Sequence, residues 1–160
     1  MSGTGDPFAS VRQAISDRRW ADALELLDDD AAARSATGLE LRAEAMYGAG
    51  DPEASVAAWE DLYDLHLAGG DEVQAARAAA MVAMYLMIDT GLMAPIRGWL
   101  RRAERLISDV ADTPVHAVVA MVRTYERLWC GDMETAGECA RTSIELGRRH
   151  GIEASVLLGR

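Results

Sequence analysis

Apolar residues recur along this chain at steps of three and four, the spacing of one face of an α-helix. Ile96, Leu100 and Ala103 follow such steps, and so do Val56 and Trp59. No stretch alternates apolar and polar residues for long enough to indicate a β-strand. The pattern therefore predicts an all-α chain. The predicted helices cover approximately residues 8–17, 20–29, 38–48, 52–67, 72–89, 94–108, 114–129 and 133–149, and a ninth begins at Ile152.

Four turn signals divide these helices into pairs at regular intervals. The intervals are 32, 41 and 40 residues. The segments beginning at Ala80 and Ala120 also share the pattern Ala-Met-Val-x-x-Tyr, and a glycine follows each tyrosine six residues later. A period of this length predicts stacked helix-turn-helix units, each too small to close its own core. The four signals are Arg18, Gly50, Gly91 and Gly131.

Two helix starts are marked by a capping residue that precedes a proline. Asp51 precedes Pro52, and Thr113 precedes Pro114. Each pair places a capping oxygen before a proline at the first helical position. We therefore expect helices to begin at these two prolines.

Charge is distributed unevenly along the 160 residues, whose formal net charge is −10. Residues 1–80 carry six arginines against sixteen acids, and residues 81–160 carry ten against ten. An acidic surface repels phosphate backbones, so we expect no direct nucleic-acid contact by this segment. All sixteen basic residues are arginine, which indicates a GC-rich genome. The length fits a single domain over residues 8–160, preceded by a flexible lead over residues 1–7.

Side chains that can carry catalytic or metal chemistry lack the spacing that such chemistry requires. His66, His116 and His150 lie far apart near predicted helix ends, and no two are four positions apart. Pairs of acids lie on predicted polar faces, where solvation keeps their pKa values ordinary. No phosphate-binding glycine loop or nucleophile motif is present. We therefore expect no enzyme, no cofactor and no metal site.

The two cysteines and the longest apolar stretch bear on the compartment. Cys130 and Cys139 form neither a Cys-x-x-Cys motif nor a metal knuckle. We interpret them as reduced thiols that are buried as small hydrophobic residues. The longest apolar stretch, around Ala78–Ile88, is too short to cross a bilayer, and no signal peptide is visible. We expect a cytoplasmic protein without membrane contact.

An arginine stripe follows one predicted helix. Arg97, Arg101 and Arg105 are four positions apart. The stripe is either an anion-binding surface or a solvated face in which Arg101 pairs with Glu104 and Arg105 with Asp109. The acids on the same helix favour the second interpretation.

At the turns, the residues resemble those of the tetratricopeptide repeat. That motif places a small residue in its first helix, Gly-Asp at the turn and an alanine about five residues later. Ala43, Gly50 and Ser55 match it in the second unit, and Gly131 and Ala136 match it in the fourth. The third unit departs from the motif, since isoleucine stands where alanine is expected. The resemblance covers most of residues 8–150 and implies an all-α, right-handed solenoid of about four helix-turn-helix repeats.

Two further segments resemble a narrower family. Trp20–Leu27 and Ile144–Gly151 are similar to the repeats that precede the DNA-binding module of actinobacterial LuxR-type transcriptional regulators and related cyclase-linked proteins. In that family the repeats sense a ligand or dock a partner, while a separate module contacts DNA. The resemblance implies a non-catalytic sensing or regulatory domain that binds a protein, a peptide or a small-molecule effector. The alternative is a freestanding adaptor that binds a partner peptide.

The C-terminal end of the chain suggests a longer parent protein. Arg160 lies a few residues after the predicted start of a ninth helix, so we expect a domain truncated at its C-terminus. A truncated solenoid exposes its last apolar face, which allows a homodimer through that end.

A candidate binding groove is expected from the stacking of helix pairs. In such arrays the first helices of the pairs line a concave surface. Methionine and aromatic residues on that surface suit adaptable apolar binding, and glutamates at one end favour a positively charged ligand. The same side chains could instead be packed core residues, and both interpretations stay open. The candidate residues are Glu40, Glu44, Tyr47, Met81, Tyr85, Met121, Tyr125 and Trp129, with Ile88 beside Tyr85.

Overall fold

Helices account for all the regular structure in the computed structural model, which describes residues 6–28 and 31–152. The prediction of an all-α chain is confirmed for these residues, and the predicted bounds agree within two residues. No described helix combines the length and the apolar character needed to cross a membrane. The helices are α1 (Ala9–Ser16), α2 (Trp20–Asp28), α3 (Ala36–Gly48), α4 (Pro52–Ala68), α5 (Glu72–Asp89), α6 (Met93–Ile107), α7 (Pro114–Trp129) and α8 (Met133–Arg149), with a 3₁₀ turn at Ala31–Arg34.

Two predicted segments fall largely on the remaining residues. The predicted ninth helix, after Ile152, lies outside the described residues, and so do residues 1–5 of the predicted flexible lead. Asp6 is described and lies in the turn before α1, where its Oδ1 accepts a hydrogen bond from the backbone N–H of Phe8 at 3.0 Å.

The chain divides into two compact units, Met1–Leu65 and His66–Arg160. In the first unit, α1, α2 and α3 pack around one hydrophobic cluster. Gly48 permits a close approach in this unit, because a Cβ there would lie 2.5 Å from the Trp20 ring. The buried residues of the cluster are Phe8, Val11, Ala14, Ile15, Ala23, Leu27, Ala33, Leu41 and Ala45.

The second unit contains two helix pairs that share contacts. Helix α5 packs against α6, and α7 packs against α8; both α5 and α6 also contact α7. Small side chains let α5 meet two neighbours, since alanines can approach another helix closely. The buried alanines of α5 are Ala75, Ala76, Ala78, Ala79, Ala80 and Ala83.

Buried serines join the two helices of a pair in each unit. The Ser55 hydroxyl on α4 donates to the carbonyl oxygen of Ala43 on α3 at 2.8 Å. The Ser143 hydroxyl on α8 donates to the carbonyl oxygen of Ala117 on α7 at 2.9 Å. Both hydroxyls are therefore satisfied inside the protein, which avoids the cost of a buried unpaired polar group.

The four predicted turn signals share one backbone conformation. The φ angles are 58° at Arg18, 87° at Gly50, 63° at Gly91 and 78° at Gly131. This left-handed conformation ends a helix and lets the following N–H reach back to a free carbonyl. After Gly131, for example, the N–H of Asp132 donates to the Arg127 carbonyl oxygen at 3.0 Å. Gly70 and Gly151, which follow α4 and α8, adopt the same conformation, so the four predicted turns belong to a wider set of helix-ending turns.

Both predicted helix starts are confirmed. Helices α4 and α7 begin at Pro52 and Pro114. The Asp51 Oδ1 accepts from the backbone N–H of Ala54 at 3.0 Å. Before α7, the backbone N–H of Thr113 donates to the His116 Nδ1 at 3.1 Å. Histidine therefore contributes to a helix cap in this chain.

The conformation of Arg18 generates the first prediction. Among the described residues, Arg18 is the one non-glycine residue with a positive φ. Glycine adopts this conformation without a Cβ clash, so Arg18→Gly is expected to raise the free energy of unfolding by about 0.5–1 kcal/mol. The thermal midpoint, measured by circular dichroism, should rise by about 1–4 °C. The control is Gly131→Ala, which places a Cβ at a left-handed position and should lower the thermal midpoint. A lower midpoint for Arg18→Gly would contradict the turn assignment.

The small buried residues Ser55 and Ala136 generate the second prediction. Both lie on the inner faces of their helices and are almost inaccessible to solvent. Replacing either with leucine should lower the free energy of unfolding by about 1–3 kcal/mol through overpacking. Ser55→Leu also removes the hydrogen bond to Ala43. Ala57→Leu, at an exposed position of α4, is the matched control and should leave the midpoint almost unchanged. Unchanged midpoints for both buried variants would show that this packing is wrong.

Candidate functional site

Three candidate groove residues lie on α3 in the first unit. Glu40 is half-buried, Glu44 is exposed, and Tyr47 has 39% of its surface exposed. Their spacing of four and three residues places them on one face of the helix. Helix α3 thus presents two acidic side chains and one aromatic side chain along a single stripe.

The other five candidates lie on α5 and α7 in the second unit, and we call them the α5–α7 surface. Met81 and Tyr85 on α5 are half-buried, as are Met121 and Tyr125 on α7. Trp129 at the end of α7 is 62% exposed. The two helices pack against each other, so the structure brings these five residues onto neighbouring elements.

Partial burial distinguishes these side chains from the core next to them. Val82 and Val122, which directly follow the two methionines, are completely buried. The methionines and tyrosines keep part of their surface accessible to another molecule. Ile88, one turn beyond Tyr85, is 54% exposed and extends the apolar stripe on α5. Methionine adapts its shape to a bound group, and tyrosine adds contact area with one polar atom.

A buried carboxylate lies on the inner side of α7. Glu126 is completely buried, although it directly follows Tyr125 in sequence. Its Oε1 accepts from Arg97 Nε on α6 at 2.8 Å, and its Oε2 accepts from Arg123 Nη1 at 3.2 Å. The Nε of Arg127 also lies 3.2 Å from Oε2. Three guanidinium groups therefore surround one carboxylate.

Arg123 extends this network to a second carboxylate on α6. Its Nε and Nη2 donate to the two carboxylate oxygens of Glu104 at 2.9 and 2.6 Å. This paired geometry is the strong form of an arginine–carboxylate contact. Arg97–Glu126 and Arg123–Glu104 thus join α6 to α7 at two places. We call Arg97, Glu104, Arg123, Glu126 and Arg127 the ion-pair network.

The arginines determine the ionisation of Glu126. Burial alone would raise the pKa of this carboxyl group, because the charged form loses its hydration. Hydrogen bonds from Arg97 and Arg123, together with the charge of Arg127, outweigh that effect and lower the pKa below its ordinary value of 4.5. Glu126 is therefore ionised at neutral pH.

Sequence reasoning missed the ion-pair network. The signal was present, because Glu126 continues the inner stripe of α7 at helical steps from Val115, Val119 and Val122. A glutamate on an apolar stripe requires a buried partner. The partner could not be identified, since Arg97 lies 29 positions earlier on another helix.

The predicted pairing within the arginine stripe is wrong. Glu104 pairs with Arg123 on α7 and not with Arg101 on its own helix. Arg97 pairs with Glu126. These side chains pair between helices because Glu104 and Glu126 both lie where α6 meets α7. Each carboxylate is there within hydrogen-bond distance of a guanidinium group of the other helix.

The interpretation of the cysteines as buried hydrophobic residues is wrong for Cys130 and holds only in part for Cys139. Cys130 is exposed at the turn after α7, where its thiol lies 3.6 Å from Glu126 Oε1 and accepts from Arg97 Nη2 at 3.0 Å. Cys139 is half-buried on α8, and burial raises the pKa of its thiol. Position in a turn next to polar groups, rather than side-chain hydrophobicity, decides the exposure of Cys130.

Histidines occupy helix ends, as predicted. His66 lies in the last turn of α4, His116 in the first turn of α7, and His150 ends α8. Within the described ranges, no group of three or more histidine, cysteine or acidic side chains has the arrangement of a metal site.

No model of a known protein family matches the chain, and no curated protein matches it either. The function must therefore be inferred from the geometry of the residues themselves.

The lowered pKa of Glu126 generates the third prediction. A carboxyl group with a lower pKa in the folded state stabilises the fold above pH 4.5 and loses that effect as pH falls through the folded-state value. At pH 7, Glu126→Gln should lower the free energy of unfolding by about 3–5 kcal/mol, because the arginines lose their buried anion. The difference between wild type and variant should shrink as the pH falls below 4.5.

Urea unfolding at a series of pH values measures this difference. The matched control is Glu138→Gln at an exposed position of α8, whose curve should run parallel to that of wild type. Parallel curves for wild type and Glu126→Gln would show that the ion-pair network does not stabilise the fold.

Proposed function

We propose that this chain is a non-catalytic helical-repeat module of the tetratricopeptide kind, which binds a peptide segment or small effector at the α5–α7 surface. The observation that carries this proposal is the repetition of Met81 and Tyr85 as Met121 and Tyr125 on packed helices, all four half-buried. A repeated, partly exposed Met/Tyr pair offers two similar contact sites next to each other. The neighbouring core residues Val82 and Val122 are fully buried, whereas these four side chains keep part of their surface accessible to a ligand.

Helix packing in the second unit supports the repeat architecture. In stacked helix pairs, each first helix contacts its own second helix and the first helix of the next pair. Helix α5 contacts α6 and α7 in this way, and α6 also contacts α7. The left-handed turns at Gly50 and Gly131 and the buried small residues Ser55 and Ala136 support the resemblance to the tetratricopeptide motif.

The chemistry of the surface indicates an apolar or aromatic group as the bound moiety. Methionine and tyrosine bind such a group through contact area and polarizability, and a tyrosine hydroxyl can orient it by hydrogen bonding. Trp129, largely exposed at the end of α7, widens the surface.

The ionisation of Glu126 fits a structural role for this side chain. A general acid at neutral pH needs a carboxyl group whose pKa is raised toward 7. The arginines around Glu126 move its pKa in the other direction. This carboxylate therefore serves to position α7. The side chains of the α5–α7 surface that lie on α7 are positioned with it.

A regulatory role is suggested by the resemblance of Trp20–Leu27 and Ile144–Gly151 to repeats of LuxR-type transcriptional regulators. In this proposal the chain is the sensing part of such a regulator, and a separate module contacts DNA. Binding at the α5–α7 surface would then be the event that the regulator detects.

Peptide selection tests the binding surface directly. Random peptides displayed on phage should yield ligands that contain apolar or aromatic residues when selected on the wild-type chain. Tyr125→Ala and Tyr85→Ala should each weaken binding of a selected peptide by about tenfold, because one aromatic contact is worth roughly 1–2 kcal/mol. Affinities are measured by isothermal titration calorimetry, and thermal midpoints are measured on the same samples.

Ile144→Ala is the matched control, since Ile144 is 53% exposed on α8 and lies outside the α5–α7 surface. It should leave the affinity unchanged. Unchanged affinity in both tyrosine variants, or a collapse of their thermal stability, would return Tyr85 and Tyr125 to a packing role and reject the proposed surface.

A further inference from the structure

Three arginines on the solvent side of α6 form a second surface, which we call the arginine face. Arg101, Arg102 and Arg105 are all exposed, and they line an open depression of about 730 Å³. The guanidinium of Arg102 lies 4.4 Å from the centre of the Trp99 ring, a cation–π contact that holds this side chain in place.

The charge of the arginine face is not neutralised within the part of the chain that the structure describes. No ion pair is formed there by Arg101, Arg102 or Arg105. Glu104 lies at the same depression, but both of its carboxylate oxygens bind Arg123 on α7. The arrangement therefore leaves three positive charges on one side of a helix. These three guanidinium groups are therefore available to bind another molecule.

Helix α4 presents the complementary charge. Asp61 and Asp64 are exposed and lie on one side of the helix at a spacing of three residues. Neither forms an ion pair with any described residue. Leu65, four residues after Asp61, is 41% exposed and adds an apolar contact. We call these three residues the acidic face.

The net charge of the two units differs in the same direction as the charge of the two faces. Residues 1–65 carry five arginines against fourteen acids, whereas residues 66–160 carry eleven against twelve. The unit with the acidic face is therefore strongly negative, and the unit with the arginine face is nearly neutral. Acidic residues of another molecule can approach the arginine face without strong repulsion from its own unit.

We propose that the arginine face of one copy of this chain binds the acidic face of a second copy. Arg101 and Arg105 are one helical turn apart, and so are Asp61 and Asp64, so two helices lying side by side can form two ion pairs at once. Leu65, which is 41% exposed, lies beside the two aspartates and supplies apolar contact. This contact is distinct from the α5–α7 surface and does not depend on ligand binding there.

Association of this kind is weak and sensitive to salt, because exposed ion pairs contribute little each and are screened by ions. Sedimentation velocity over a series of protein concentrations should show masses above the 17.3 kDa monomer at about 50 mM salt and mostly monomer at about 500 mM. A monomer under all these conditions overturns the proposal, and assigns the arginine face to another anionic ligand or to none.

Charge reversal identifies the two faces. The double variant R101E/R105E should dissociate at least about tenfold more readily than wild type, because like charges then oppose each other at the contact. D61R/D64R should dissociate to the same extent, because it places positive charges on the acidic face opposite the arginine face. An equimolar mixture of the two variants should associate again, since the two reversed faces then carry opposite charges.

The control R141E/R148E reverses two exposed arginines on α8 and changes net charge by the same amount as R101E/R105E. It should associate as wild type does. Circular dichroism of each variant establishes that it is folded. Association that survives R101E/R105E, or a mixture that stays monomeric, overturns the assignment of these faces.

Discussion

The buried carboxylate of Glu126 is the constraint on which the arrangement of α6 and α7 depends. An isolated charge in this position would be very unfavourable, so the fold must bring cations to it. Arg97 crosses from α6, while Arg123 and Arg127 come from α7 itself. Because Arg123 also binds Glu104, the same cations that neutralise Glu126 fix the two helices against each other.

This constraint links the interior of the second unit to its surface. Glu126 and Tyr125 are neighbours on α7, so fixing the inner stripe of the helix also fixes the direction of its outer stripe. Helix α5 completes the surface, because its alanines let it pack against both α6 and α7 while Met81 and Tyr85 stay half-exposed. A binding surface held by rigid helices loses little entropy when a ligand binds.

Charged residues of α6 have two separate tasks. Arg97 and Glu104 bind residues of α7 and stabilise the fold, whereas Arg101, Arg102 and Arg105 face solvent. One helix thus contributes to the core of its unit and to a second external surface. The exposed charges of α4 in the first unit are the counterpart of that surface in the self-association that we propose.

The sequence by itself determined the helices, their bounds and the turns between them, because these features depend on residues close together along the chain. Apolar spacing, Pro52 and Pro114 at helix starts, and the left-handed turn at Gly131 act over a few positions. Only the tertiary structure decided the partner of Glu126, the pairing of Glu104 and the exposure of Cys130. Periodicity places a side chain on a face of its helix, but the group it meets there comes from a helix whose position only packing determines.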